Sequence, residues 1–309
     1  MLGGMKLPML ARMLAICAVA ALILVPIAMI GGKITERQAR ARAVVAQFAQ
    51  ETSGPQLLVG PLLALTCEEV ATGAACPTGY FAPRDFKATA ALPVETRHRG
   101  IYPIRLYRAD VALSGEWQWP QPPAPEGRHA RAWKQARIVA FAQEPRGIKA
   151  GRFPLHEELG PYGQHAPGAR VPFQYRMTLM GTSSLRIAPV GERNEITLTS
   201  DWPHPSFSES WSPDERAISR DGFQATWRIG GVATGGEPAW AKLAAEGKLA
   251  TAPAAGVVLF DPVNVYALSY RATEYAFLFV LFTFAAIALT EVVAGVRLHP
   301  IQYLSLIHI

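Results

Sequence analysis

The sequence predicts a membrane protein in which a mainly β, antiparallel domain is flanked by transmembrane α-helices. Three observations carry this. Two apolar spans, Met13–Ile30 and Tyr275–Val296, lie near the two ends of a 309-residue chain. At about 1.5 Å rise per residue, roughly twenty residues cross a ~30 Å hydrocarbon core, so each span is long enough. Between them, short β-branched and aromatic runs alternate with Gly and Pro, and helical periodicity is scarce.

The first span has no charge between Arg12 and Lys33 and contains Pro26, which membrane helices tolerate. Ile27-Ala28-Met29-Ile30-Gly31-Gly32-Lys33 offers no small-x-small cleavage site, so an uncleaved anchor is expected rather than a signal peptide. Bulky Ile16 before Cys17 argues against lipidation and makes Cys17 a helix-packing residue. In the second span, Glu291 follows the uncharged run Tyr275–Thr290 and reads either as a snorkelling end residue or as an intramembrane functional carboxylate. Two spans put both termini on one side, but flanking Lys and Arg do not decide which side, because a loop this long translocates largely regardless of charge. The expected organisation is a terminal segment 1–12, a transmembrane helix 13–32, a juxtamembrane helix 33–50, a mainly-β domain 51–271, a second transmembrane helix 272–296 and a terminal segment 297–309.

Ile34–Ala49 carries Ala39, Val44, Val45 and Phe48 on a charged background and is expected to continue as helix until Ser53-Gly54-Pro55. Beyond it, strands are expected at Gln56–Val59, Leu62–Thr66, Ile101–Leu113, Ala136–Ala142, Phe173–Leu179, Leu185–Pro189, Glu195–Ser200, Gly222–Ile229, Gly256–Phe260 and Val265–Tyr270. Phe173, Tyr175, Met177 and Leu179 alternate with Gln174, Arg176 and Thr178, the pattern of a strand with one face buried. Gln118–Gly127 is Pro-rich and cannot sit in a central strand; Gly230–Gly236 reads as a flexible loop and Pro238–Leu249 as a short surface helix.

Half the residues are hydrophobic, 17% are charged, and the formal net charge is +6. The densest basic cluster, Lys33 to Arg42, follows the first span and is expected to meet lipid phosphates, which makes the bilayer a partner. A nucleic-acid partner is excluded, since no basic face is interleaved with stacking aromatics. Cys67 and Cys76, with eight residues between them, flank a polar turn between two strand-like runs, so a disulfide clip is expected there. No Cys or His ligand spacing, nucleophile elbow, phosphate loop or dinucleotide fingerprint occurs; no metal, cofactor or catalytic residue is assigned. His98, His129, His156, His165 and His204 have no partner pattern and read as solvated or structural. Thr199–Phe207 is the most distinctive segment. Prolines on both sides of His204 fix the backbone, while Trp202 and Phe207 supply apolar anchors, so a rigid turn or partner-contact loop is expected in preference to chemistry by Asp201, His204 and Ser206.

Ordered motifs run through the chain: Gly54-Pro55-Gln56 with Gly60-Pro61; Arg99-Gly100-Ile101-Tyr102 with Tyr107-Arg108-Ala109-Asp110; Pro145-Arg146-Gly147-Ile148; Ser200–Phe207; Gly222-Phe223 with Trp227; Asp261-Pro262-Val263-Asn264 with Tyr266; Arg271-Ala272 with Glu274-Tyr275-Ala276; and Leu298-His299-Pro300-Ile301-Gln302-Tyr303. In this order they resemble the CreD inner-membrane proteins. The resemblance implies a cytoplasmic N-terminus, one anchor, a large periplasmic domain and several C-terminal transmembrane helices. One of those helices is present here, and Leu304–Ile309 reads as translated adapter sequence, so a truncated gene is expected and His308 carries no functional weight. Gly230–Gly236 also departs from the Leu-Ala-Arg-Asn type segment usual in the family. The implied function is non-catalytic: envelope integrity, colicin tolerance and the response to cell-wall stress such as β-lactams, with the β domain binding or sensing an unidentified periplasmic or membrane protein partner. The alternative is a membrane-bound enzyme acting on lipid or peptidoglycan-linked substrates, which requires Asp201, His204 and a serine or another carboxylate to converge in one cleft.

Overall fold

A computed structural model describes residues 6–123, 130–207, 210–259 and 265–294. The chain falls into two compact units, residues 44–261 and the two terminal stretches 1–43 with 262–309.

Helix α1 (Lys6–Glu51) starts in the terminal unit, its residues past 43 being counted with the other unit, and runs without interruption through Pro26, so the expected membrane and juxtamembrane helices are one element. Its 46 residues amount to about 69 Å of helix, more than twice a hydrocarbon core. Past the apolar stretch, Glu36 takes Lys33 (2.8 Å) and Arg40 (3.1 Å) at helical spacing. Four α-helices occur among the described residues, and the last, α4, spans Val265–Ala294. Val280 and Phe284 of α4 pack against Val19, Ala20, Ile23 and Leu24 of α1. Both α1 and α4 contain stretches long and apolar enough to cross a membrane. The expected strand Val265–Tyr270 is corrected: it is the first part of α4. Its alternating side chains resemble a strand locally, yet no Gly or Pro separates it from the apolar span, so helix propagates back through it.

The other unit is built from β1 (Gln56–Glu69), β2 (Ala75–Phe81), β3 (Asp85–Leu92), β4 (Val94–Arg99), β5 (Tyr102–Gln118), β6 (Arg131–Ala142), β7 (Ile148–Gly151), β8 (His156–Pro161), β9 (Arg170–Thr182), β10 (Ser184–Ile187), β11 (Arg193–Ser200), β12 (Pro205–Ser206), β13 (Glu215–Ser219), β14 (Gly222–Gly230) and β15 (Ala255–Leu259). Among the described residues these form two sheets. One has the order β12-β15-β10-β1-β6-β8, with β2 also on β1; the other has β13-β14-β11-β3-β5-β9-β7, with β4 also on β5. Pairing is antiparallel except at β1 with β10 and β3 with β11, which are parallel. β1 was expected as two strands and is one, bulged where Gly60-Pro61 shifts its register against β6. Gly60 has φ +101°, and a Cβ there would press on the Ala140 backbone.

The inner faces of both sheets share one apolar core, in which Trp117, Trp119, Trp227 and Trp240 are fully buried. In β9, Phe173, Tyr175, Met177 and Leu179 point inward, as their alternation predicts. Gly231–Thr234, expected as loop, forms the short helix α2, and the surface helix expected over Pro238–Leu249 is α3 (Gly236–Ala245). Part of the Pro-rich excursion (residues 124–129), Phe260 of the expected strand Gly256–Phe260, and residues 295–309 lie outside the described residues.

Candidate functional site

The chain enters the β domain at β1 and leaves it at β15, and these strands flank β10 on either side. Leu185 of β10 pairs with Gln56, the first residue of β1, and the preceding Ser184 pairs with Val258, the last residue but one of β15. Entry and exit therefore lie at the same end of one sheet. Three features build that end.

The first is a buried hydrogen-bond clamp around Gln56. Its Nε2 donates to Ser53 Oγ (2.8 Å), Met180 O (2.9 Å) and Glu144 O (3.1 Å), while its Oε1 accepts from the Glu144 amide (3.3 Å). Next to it, the Thr182 amide donates to Gly54 O (3.1 Å), and Tyr107 Oη donates to Ser184 O (2.7 Å). Complete burial pushes the Tyr107 phenol well above its ordinary pKa and keeps it a donor. Gly147 is required because a Cβ would collide with Gln56 Nε2, Met180 O and Ser53 Oγ. Ser183 links β9 to β10 with φ +66°, a left-handed conformation unusual for a non-glycine residue. Its carbonyl accepts from the Leu259 amide (2.7 Å), so the crossing between sheets is tied to the exit strand.

The second feature fastens the end of α1. Arg99 grips Glu51 through two nitrogens (2.6 and 3.1 Å), and Arg146 Nη1 donates to Gln50 O (2.8 Å). The hydrogen bond from Arg99 holds the Glu51 carboxyl below the usual carboxylate range.

The third feature is the segment Ser200–Phe207, which carries the chain from β11 in one sheet to β12 in the other. Ser200 Oγ donates to Leu92 O (2.6 Å), and the Val94 amide donates to Asp201 Oδ1 (2.8 Å). Trp202 Nε1 donates to His204 O (3.0 Å), and the Arg105 guanidinium lies over the Trp202 ring at 4.7 Å. Phe207 meets Phe223 and Trp227 edge-on at 5.5 and 5.7 Å, and Pro205 pairs with Leu259. Trp202 and Phe207 thus make the aromatic contacts of this crossover, with the exposed His204 ring set edge-on to Trp202 at 6.0 Å. The Val94 amide engages one carboxylate oxygen of Asp201, and the Trp202 indole bonds the backbone carbonyl of His204, an exposed residue.

Cys67 and Cys76 oppose each other in the β1–β2 ladder with Cα atoms 5.0 Å apart and their sulfurs in bonding contact. Cys17 is exposed on α1. Of the histidines, His98 lies on β4, His156 on β8, and His165 packs edge-on to Trp119 at 4.7 Å; His129 and the Glu291 side chain lie outside the described set. Among the described residues no three His, Cys, Asp or Glu side chains group as a metal site would require.

Gln56 is the residue that a local reading misses. Its partners Glu144 and Met180 lie 88 and 124 positions away. The trace in the sequence is that Gly54-Pro55-Gln56, Arg99-Gly100, Tyr107, Pro145-Arg146-Gly147 and Ser200–Phe207 all belong to the ordered segments that carry the family resemblance, and the contacts above join them at this end.

The chain matches the family described as "Inner membrane protein CreD" over residues 8–154 and 151–307. It is 29% identical to the Inner membrane protein CreD of Escherichia coli (strain K12) over 336 aligned residues, covering 97% of this chain and 72% of that protein. No solved structure matches it. A match running from the first helix through the β domain to the second helix establishes that the chain belongs to the CreD family of inner membrane proteins.

Proposed function

We propose that this protein is a non-catalytic envelope protein whose β domain lies in the periplasm and acts as a binding or sensing module coupled to its membrane helices. The observation that carries the reading is the placement of entry and exit strands on either side of β10, locked by Gln56, Ser183 and the Ser200–Phe207 crossover. A partner that shifts the packing of the two sheets would act on both connections at once. The Cys67–Cys76 bond belongs to an oxidising compartment and closes the β1–β2 turn. Following the family resemblance, the role is in envelope integrity, colicin tolerance and the response to β-lactam stress. The bilayer and a periplasmic or membrane protein are its partners.

The test is growth in colicin and in a β-lactam of a strain lacking its own CreD-type protein, with and without this chain at matched expression. The chain is expected to change tolerance, and a variant with a loosened clamp is expected to lose that effect while remaining in the membrane. Unchanged tolerance with the intact chain would contradict the proposal.

A further inference from the structure

The terminal unit contains a groove of about 600 Å³ between α1 and α4. On α1 it runs from Ala21 to Thr35 over a floor that includes Ala28, Gly31 and Gly32; on α4 it is bounded by Tyr270, Glu274 and Phe277. The polar residues sit at one end. Glu274 immediately precedes the uncharged run of α4, and Arg271 lies three residues earlier on the same helical face. Both are exposed. Ala21 to Thr35 covers about 21 Å of helix, which is one leaflet's ~15 Å of hydrocarbon plus headgroup depth. The groove is therefore apolar along the length of an acyl chain, with the carboxylate of Glu274 in its lining at one end and the exposed Arg271 one helical turn before Glu274, beside the lining and not part of it.

We propose that this groove binds one phospholipid with a zwitterionic, primary-amine headgroup, in the leaflet facing the β domain. The acyl chain lies on the Ala28–Gly31–Gly32 floor, the phosphate meets the Arg271 guanidinium, and the ammonium donates to the Glu274 carboxylate. An anionic headgroup would satisfy Arg271 and be repelled by Glu274. A choline headgroup would bring positive charge but no N–H to donate. Small residues on α1 let the chain approach the backbone, as they let helices approach one another in membranes. The inference holds whichever side of the membrane the β domain occupies, so it stands or falls separately from the proposed function.

The experiment uses the full chain in nanodiscs containing equal fractions of phosphatidylethanolamine, phosphatidylcholine and phosphatidylglycerol, with native mass spectrometry of the lipids retained on release. Retention of phosphatidylethanolamine is expected to exceed that of phosphatidylglycerol by about five- to tenfold, the size of one charge contact near a membrane surface. Glu274→Gln is expected to erase this preference while leaving total retention nearly unchanged. Ala28→Trp, which fills the groove and leaves the charges in place, is expected to abolish retention of all three. A photo-crosslinking residue at Ala28 gives a second readout in native membranes, with a lipid adduct expected. Equal or preferred retention of phosphatidylglycerol, an unchanged preference in Glu274→Gln, or an Ala28 crosslink to a second copy or another polypeptide would each overturn the assignment.

Discussion

Replacing Gln56 by Leu tests whether the clamp, and not the apolar core alone, holds the entry strand in place. Leu is close to Gln in volume and suits a buried site, so packing is nearly conserved. What is lost is polar. The Nε2 group carries two hydrogens shared among Ser53 Oγ, Met180 O and Glu144 O, and Oε1 takes one from Glu144 N, which makes three bonds' worth of donors and acceptors. At about 1 kcal/mol net per bond, the loss is roughly 3 kcal/mol, and buried partners left unsatisfied push it higher. For a domain of this size each kcal/mol moves Tm by about 2–4 °C, so a fall of about 6–12 °C is expected. Thermal unfolding of the detergent-solubilised protein, followed by the fluorescence of its buried tryptophans, reads this directly. Thr197→Val, which removes one partly buried contact to Thr226, serves as the comparison and should shift Tm by no more than about 2–4 °C. Equal shifts for the two variants would refute the claim that Gln56 organises this end.

The Cys67→Ser/Cys76→Ser variant opens a short loop and should lose about 2–3 kcal/mol; maleimide labelling should find one reactive thiol, Cys17, before reduction of the parent protein and three after. Trp202→Ala removes the Arg105 contact and a half-buried indole, costing roughly 2 kcal/mol in urea unfolding, whereas His204→Ala, at an exposed ring, should stay within about 0.5 kcal/mol. Burial raises the Glu237 carboxyl, which accepts from the Ala82 amide at 3.1 Å. A carboxyl whose folded pKa is raised weakens the fold above that pKa and ceases to do so as pH falls through it. Glu237→Gln keeps an acceptor for Ala82, so it should raise Tm at neutral pH and lose the advantage in acid; a Tm gap that widens on acidification would contradict this.

Elements with strong side-chain contrast were legible. Phe173, Tyr175, Met177 and Leu179 announce an inward face, and the apolar spans announce helices. β3 was not legible, because its inward positions include Ala88 and Ala90, whose small side chains give little alternation in hydrophobicity. β4 escaped for the opposite reason: Val94-Glu95-Thr96-Arg97-His98-Arg99 is an almost wholly polar strand held by its ladder to β5. The parallel pairings of β1 with β10 and of β3 with β11 join segments more than a hundred residues apart, and no local pattern encodes them. At the candidate site, proline and tryptophan marked Ser200–Phe207 as rigid, but its role as a crossover depends on which sheet receives Pro205. The clamp was hidden altogether, since Gln56 looks like an ordinary polar residue until Glu144 and Met180 are brought to it.

The most direct test of the account is the sidedness of the β domain in a living cell. A compartment-sensitive reporter inserted after Gly247, a turn with open space around it, is compared with one fused after Pro300. The account predicts periplasmic activity from the Gly247 insertion and cytoplasmic activity from the Pro300 fusion. A cytoplasmic signal from the Gly247 insertion would contradict it, and the proposed disulfide and envelope role would fall with it.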